Sequence, residues 1–193
     1  VRSRLMGIPT LIKTLTASGD ASLSFVDGTA DVTFDSTYDE YMFVCTDINP
    51  ATSAADFTFQ VNATDDAGGG YDTSQITSTF FRATLKEDGT NGAVDYMTSG
   101  DQANGTAFQI IADYLGAAAD ESCAGILHIF SPASTTYVKH FYSRFHLNDD
   151  SPTSFADDNF CAGYINDTTA IDEIQFKMSS GNFDGVIQMY GIS

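Results

Sequence analysis

The chain has 193 residues, of which 42% are hydrophobic, a length and composition typical of one globular domain with a substantial core. No run of 18 apolar residues occurs, so the sequence predicts no membrane-spanning helix. Acidic residues outnumber basic ones 26 to 8, and the net charge of −18 argues against direct binding to nucleic acid.

The N-terminal segment differs in charge from the rest of the chain. Arg2, Arg4 and Lys13 lie within the first thirteen residues, which contain no Asp or Glu. We predict that residues 1–9, which include Pro9, form an extended arm, with Lys13 in the strand that follows. Such a basic arm can bind the acidic groove or the sheet edge of a neighbouring protein. The alternative is a frayed terminus without a role.

Alternation of apolar and polar residues predicts strands from one end of the chain to the other. In chain order they cover residues 10–16, 41–48, 56–62, 77–85, 107–114, 125–130, 136–146 and 160–165, and a final pair flanks the turn at 179–182. Residues 77–86 and 170–178 could instead form short helices, but we interpret both as strands. About ten strands separated by turn residues predict an all-β fold, an antiparallel β-sandwich of jelly-roll type formed by residues 10–193 as a single domain.

The three cysteines are Cys45, Cys123 and Cys161, and they are far apart in the sequence. Each lies among apolar or small residues, and no C-x-x-C motif is present. This pattern predicts three buried free thiols rather than disulfides or a metal site.

Two histidines are the strongest candidates for chemistry. His140 and His146 are six residues apart in a predicted strand, which places them on one face with Tyr142 and Arg144 between them. A metal-binding or catalytic pair is one interpretation. No carboxylate or cysteine stands at ligand spacing, which favours a solvated face or an interface. We therefore expect no catalytic site, no metal and no cofactor, and a protein that is not an enzyme.

Acidic loops and tyrosines offer two further binding hypotheses. The predicted loops 62–72 and 148–159 are rich in Asp, Asn and Gly, and they could supply oxygen ligands to calcium or simply close long hairpins. Neither loop has the spacing of an EF-hand. The nine tyrosines could line a sugar-binding face, but the absence of Trp favours packing roles.

Several blocks of sequence resemble a family of small structural proteins encoded by tailed, often marine, bacteriophages. The blocks are residues 11–18 (LIKTLTAS), 23–28 (LSFVDG), 34–41 (FDSTYDEY), 48–52 (INPAT), 130–141 (FSPASTTYVKHF), 174–182 (IQFKMSSGN) and 190–192 (YGI). They extend from residue 11 to the end of the chain and leave out residues 1–9. The resemblance implies a virion component and brings no functional residues that could be assigned here.

Together these observations predict a virion surface protein, made in the host cytoplasm. The first hypothesis is a head decoration or cement-type protein that binds major capsid or tail proteins through its arm and forms a homo-oligomer, with a trimer as the expected state. The alternative is a tail-fibre or tail-tip module that binds a host surface glycan through loops 62–72 and 148–159. A third class, a calcium-dependent glycan-binding module or a lytic enzyme, predicts a calcium-dependent melting shift or turnover of polysaccharide.

Overall fold

A computed structural model describes residues 7–64, 71, 74–150 and 155–193, and all regular elements in these ranges are β-strands. Their bounds are β1 Thr10–Asp20, β2 Leu23–Val26, β3 Glu40–Pro50, β4 Ala55–Ala63, β5 Ile76–Lys86, β6 Ala93–Tyr96, β7 Gln109–Leu115, β8 Cys123–Phe130, β9 Lys139–Asn148, β10 Phe155–Ile165, β11 Ile171–Met178 and β12 Phe183–Ile192. The prediction of an all-β chain is confirmed. The two segments with possible helical character are strands β5 and β11.

The described residues contain twelve strands rather than about ten. The two additional strands, β2 and β6, have four residues each, which is too short for alternation to separate them from loop sequence. Both lie at the edge of a sheet, where a strand needs a partner on one side only.

The strands form two antiparallel sheets. The larger sheet has eight strands in the order β1-β12-β3-β8-β9-β10-β5-β6, and the smaller has four in the order β2-β11-β4-β7. The predicted turn between the final two strands is present, but β11 and β12 belong to different sheets, so this turn crosses from one layer to the other. Gly181 in this turn has a φ of +75°, a conformation that a side chain would strain.

Aromatic rings from both sheets form the centre of the core. Phe43 of β3 packs against Phe176 of β11 at a centroid distance of 5.4 Å, and Phe57 of β4 packs against Phe145 of β9 at 5.9 Å. Phe57 also stacks on Phe176 within the smaller sheet, at 5.8 Å. These rings are fully buried, so the two sheets share one apolar layer.

The three cysteines lie in this core, each buried and with a free thiol, as predicted. Burial raises the pKa of Cys161 to about 12, and it raises the pKa of Cys45 and of Cys123 as well. Thiols with such raised pKa values remain protonated and pack as small apolar groups.

The larger sheet extends beyond the smaller one. In the described residues, the edge strand β7 of the smaller sheet packs against β9 and β10 and reaches β5 through side chains, as where Ser78 donates to Gln109 at 2.7 Å, so β5 and β6 extend beyond the smaller sheet. The segment between β6 and β7 covers part of this overhang, with Gln102 and Gly105 hydrogen-bonded to β5. A pocket lies on the inner side of this part of the larger sheet, and a shallow depression lies on its outer side.

Candidate functional site: an outer aromatic face and an acidic pocket

The first surface is the outer face of the larger sheet, which points away from the smaller sheet. One residue from each of its eight strands lines up there in register across the whole sheet. From edge to edge this cross-strand row contains Tyr96, Phe81, Phe160, Arg144, Ile126, Val44, Gln188 and Thr14. Side chains that are paired in this way on one face of a sheet contact each other directly.

Stacking holds three adjacent members of the row together. Phe81 and Phe160 stack with centroids 4.9 Å apart and ring planes within 4° of each other. Arg144 is the other cross-strand neighbour of Phe160, and its guanidinium lies over the Phe160 ring, 4.8 Å from the centroid. Asp158 fixes this guanidinium, because Arg144 Nε donates to Oδ1 at 3.0 Å and Nη2 donates to Oδ2 at 2.6 Å. Phe81 remains 43% exposed, so these ordered rings face solvent.

A second set of rings lies beside the row on β8 and β9. Tyr142 stacks on His128 at 4.5 Å and contacts Phe130 at 5.8 Å. His128 is fixed in turn by a hydrogen bond from Nδ1 to the Glu40 carboxylate. Phe81, Phe160, Arg144, Ile126, Tyr142, His128 and Phe130 are together called the aromatic face below.

The aromatic face contains a shallow depression of about 450 Å³. Its lining is largely apolar and includes Ala124 and Ile126 together with Tyr142, Arg144 and Asp158. The charges of Arg144 and Asp158 cancel, and the pair still offers N–H donors and carboxylate acceptors above an apolar floor. Such a depression is suited to a neutral, hydroxyl-bearing ring or to an apolar side chain of another protein.

The predicted placement of the histidines is confirmed. His140 and His146 are exposed and share the outer face of β9 with Tyr142 and Arg144. His128, from the neighbouring strand β8, lies on the same side of the sheet. In the described parts of the chain, no three His, Cys, Asp or Glu side chains form a group that could hold a metal ion.

The second surface is an acidic pocket of about 600 Å³ on the inner side of the overhang, between β5, β7 and the end of β9. Its polar lining includes Asp56, Arg82, Asp113, Tyr114, Asp149 and Asp150. Arg82 Nη1 donates to Asp113 Oδ2 at 3.0 Å and to Asp157 Oδ2 at 3.3 Å. One guanidinium is therefore shared by two carboxylates, and the pocket retains an excess of negative charge.

The carboxylates of the acidic pocket have perturbed pKa values. Burial raises the pKa of Asp157 to about 6, against the opposing effect of Arg82 and with repulsion from Asp113 and Asp149 added. Burial likewise raises the pKa of Asp113, while Arg82 acts in the opposite direction. Arg82 therefore does not fully offset the cost of burying these two carboxylates.

Buried polar atoms around Arg82 remain without partners. Asp157 has a side chain only 2% exposed, and its Oδ1 has no hydrogen-bond partner within the described residues. Among the described residues, Asn159 Nδ2 and Asp113 Oδ1 also lack a hydrogen-bond partner. Asn159 Oδ1 does accept a hydrogen bond from the Asp113 backbone N–H at 2.9 Å, so the two sheets are tied together at this point. Unpartnered buried atoms are uncommon in folded proteins and are concentrated here.

The residues predicted for the assembly arm fall into three places. Arg2 and Arg4 lie outside the described residues. Pro9 is exposed just before β1, and the preceding Gly7 N–H donates to the Ser193 carbonyl at 3.2 Å. Lys13 is a half-buried residue of strand β1, in register with Met189 of β12.

The two predicted acidic loops also have different outcomes. Of loop 62–72, residues 65–70 and 72 lie outside the described residues, and Asn62 belongs to β4. The prediction of a loop over 148–159 was wrong for Asn148, which ends β9, and for residues 155–159, which begin β10. Asp157 and Asn159 alternate with outward residues of that strand and point between the sheets, whereas Asp149 and Asp150 line the acidic pocket.

Sequence reasoning missed the acidic pocket because its members are far apart in the chain. One signal was present: Arg82 has the same strand parity as the buried Phe80, and Asp157 has the same parity as the buried Cys161. Charged residues at inward positions of a strand predict a buried ion pair or a site.

Comparisons with protein-family models, with curated proteins and with solved structures find no match to this chain. Within residues 7–64, 71, 74–150 and 155–193, no helix is long and apolar enough to cross a membrane.

Proposed function

We propose that the chain is a structural protein of a bacteriophage virion, a head decoration protein that binds the capsid through its aromatic face. The sequence blocks that resemble small structural proteins of tailed phages support this proposal. The observation that carries it is the ordered, solvent-facing stack of Phe81, Phe160 and Arg144. The role is mechanical rather than catalytic, and the protein acts on the assembled particle.

We further propose that the fold is a jelly roll with a sheet extension. Eight strands support this reading, because the order β1-β12-β3-β8 faces the order β2-β11-β4-β7, as expected of two four-stranded sheets from interlocked Greek keys. The other four strands, β5, β6, β9 and β10, are inserted between β4 and β7 and between β8 and β11. Most of the aromatic face and the acidic pocket depend on these inserted strands.

The chemistry of the aromatic face favours a protein partner. Exposed apolar residues scattered singly are ordinary on protein surfaces, but a contiguous patch marks an interaction site. The centres of protein interfaces are enriched in aromatic residues and Arg and depleted in other charges. Here Phe81, Phe160, Tyr142 and Arg144 lie together on a protein whose charge is otherwise strongly negative.

The experiment is to assemble particles in the presence of variants of the aromatic face. Phe81→Ser with Tyr142→Ser removes two exposed rings and should strongly reduce the copies of the protein in purified virions, measured on a stained gel against the major capsid protein. Tyr137→Ser removes an exposed ring from the β8–β9 loop and should leave the copy number unchanged. Normal incorporation of the double variant would exclude the aromatic face as the capsid contact.

The second candidate is a tail-fibre or tail-tip module that binds a host glycan. The observation that favours it is the depression beside Tyr142, where Arg144 and Asp158 form a neutral pair above an apolar floor. This function predicts only a few copies per particle and millimolar or tighter binding of neutral oligosaccharides to the purified protein, lost in Tyr142→Ala. Head decoration predicts copy numbers comparable with the major capsid protein and no such binding.

A further inference from the structure

We propose that Asn91 is a site of spontaneous deamidation, at which the side-chain amide is converted to a carboxylate without an enzyme. The site is the Asn91–Gly92 pair in the connection between β5 and β6. A second pair of the same sequence, Asn104–Gly105, is protected by its hydrogen bonds. This modification is independent of the proposed function and would occur in any role of the protein.

Deamidation of an Asn–Gly pair needs only water and a base from the solvent. The backbone nitrogen of Gly92, after losing its proton to the base, attacks the side-chain carbonyl carbon of Asn91 and forms a C–N bond. The side-chain nitrogen takes up a proton and leaves as ammonia, which produces a five-membered succinimide ring. Water then opens the ring at one of its two carbonyl groups and leaves aspartate or isoaspartate at position 91. Glycine favours the attack because no side chain shields its nitrogen.

The Asn91–Gly92 pair is open to solvent and free to rearrange. Both residues are exposed. Within the described residues, neither the Asn91 side chain nor the Gly92 N–H has a hydrogen-bond partner. Ring closure at this pair therefore breaks no hydrogen bond of either group.

The pairing of β6 with β5 explains why the Gly92 N–H has no partner. Met97 N–H donates to the Phe80 carbonyl at 2.9 Å, and Ala93 lies in register with Thr84. N–H groups along a strand point alternately to one side and the other, so Ala93, four residues before Met97, also points its N–H toward β5. The N–H of Gly92, one residue earlier, points to the open side of this edge strand. The attacking nitrogen is therefore accessible to base from the solvent.

The Asn104–Gly105 pair is held at both of its residues. Gly105 N–H donates to the Ile76 carbonyl at 3.0 Å, and Ile76 N–H donates back to the Gly105 carbonyl at 2.7 Å. Asn104 Oδ1 accepts a hydrogen bond from the Thr77 hydroxyl at 3.2 Å, and the Asn104 N–H donates to the same hydroxyl oxygen at 3.1 Å. The nitrogen that would attack is engaged here, so the segment must open locally before it can react.

Neither backbone conformation nor exposure distinguishes the two pairs. Asn91 has a φ of +53° and Asn104 a φ of +51°, both in the left-handed region that asparagine adopts more readily than most residues. Both asparagines are exposed. The hydrogen bonds of the asparagine and of the glycine that follows it are the difference, which makes Asn104 a matched control within the same chain.

Deamidation of Asn91 changes the outer edge of the larger sheet. Either product adds a negative charge beside β6, and isoaspartate also adds one methylene group to the backbone just before Ala93, where the pairing with β5 begins. Strand β6 has only four residues and carries Tyr96, the last member of the cross-strand row. The modification therefore acts at the end of the outer face that the row crosses.

The experiment is to incubate the purified full-length protein at pH 8.5 and to follow both pairs by mass spectrometry. Chymotrypsin cleaves after Tyr96 and places the two pairs in different peptides, and deamidation adds about 1 Da because an amide NH₂ becomes a carboxyl OH. Asn91 should be converted at least about tenfold faster than Asn104, whose glycine is held by two backbone hydrogen bonds. In urea both pairs should react at similar rates, because the protection belongs to the fold.

The variant Gly92→Ala tests the attacking nitrogen and should slow the conversion of Asn91 about tenfold or more. The added methyl group would meet Leu85 Cδ1 at 3.4 Å and the Thr84 carbonyl oxygen at 3.9 Å, which are ordinary contacts, so the fold should be retained. Circular dichroism checks this. Equal rates at Asn91 and Asn104 in the folded wild type, or an Asn91 that persists while the urea-unfolded chain reacts, would overturn the proposed site.

Discussion

The space between the two sheets has two contrasting halves. Beneath β12, β3 and β8 the larger sheet faces the smaller one, and the layer is filled by rings such as Phe43 and Phe176. Beneath β5 and the adjoining part of β10, the inward residues Arg82, Asp157 and Asn159 form a polar cluster beside the buried Phe80 and Cys161. In both halves every second residue of a strand points inward, so the difference lies in which residues occupy the inward positions.

This difference separates a part of the molecule that stabilises the fold from a part that holds buried charged groups. In the covered half, burial of apolar area stabilises the fold by roughly 25 cal/mol per Å². In the overhanging half, burial raises the pKa of Asp157 and of Asp113, which means that ionised carboxylates are held there at a cost. Carboxylates with perturbed pKa values are concentrated at functional sites. Four predictions test this division.

The largest effect is expected in the covered half. Phe176→Ala removes a ring that contacts Phe25, Phe43, Phe57 and Phe59, and it should lower the free energy of unfolding by about 3–5 kcal/mol. Denaturant titration followed by circular dichroism measures this loss. A loss below about 1 kcal/mol would mean that the aromatic layer is not the main source of stability.

In the overhanging half, Arg82→Met should lower the free energy of unfolding by about 2–3 kcal/mol at pH 7.5, because it leaves the Asp113 and Asp157 carboxylates without their shared cation. The cost should shrink at pH 5, where Asp157, with a pKa of about 6, is mostly protonated. Urea titrations of the variant and the wild type at both pH values test this. An equal cost at both pH values would indicate lost packing instead of unpaired charge.

Asp157→Asn should raise the free energy of unfolding, whereas Arg82→Met lowers it. The folded-state pKa of Asp157 is about 6, above the value near 3.9 of an unfolded chain, so its ionisation makes folding less favourable as the pH rises from about 4 to about 6. The substitution removes this penalty, while Asp113 still pairs with Arg82. We expect stabilisation of about 1 kcal/mol above pH 6.5 and almost none near pH 4. A variant less stable than the wild type at pH 7.5 would contradict this account of the overhang.

The smallest effect on stability is expected on the aromatic face. Phe81→Ala should change the free energy of unfolding by less than about 1 kcal/mol, because its ring is exposed and the stacking on Phe160 contributes little beyond the area it covers. Paired with Phe176→Ala, it compares a buried ring in the core with an exposed ring on the sheet surface. A loss of stability as large as that of Phe176→Ala would mean that Phe81 serves mainly to stabilise the fold.

Local pattern and non-local pairing explain which features could be predicted. Alternation identified β5 and β11 as strands and placed His140 and His146 on one face, because these properties depend on neighbouring residues alone. The overhang could not be predicted, since it depends on β5 pairing with β10 some eighty residues later in the chain. For the same reason, the pairing of Arg82 with Asp157 required the structure.

The most direct test of the central claim is a cryo-electron microscopy reconstruction of purified virions in which this domain can be placed. The account predicts many copies on the head surface, each with Phe81, Phe160 and Tyr142 buried against the capsid shell. Particles without the domain, or copies whose aromatic face points into solvent, would contradict it.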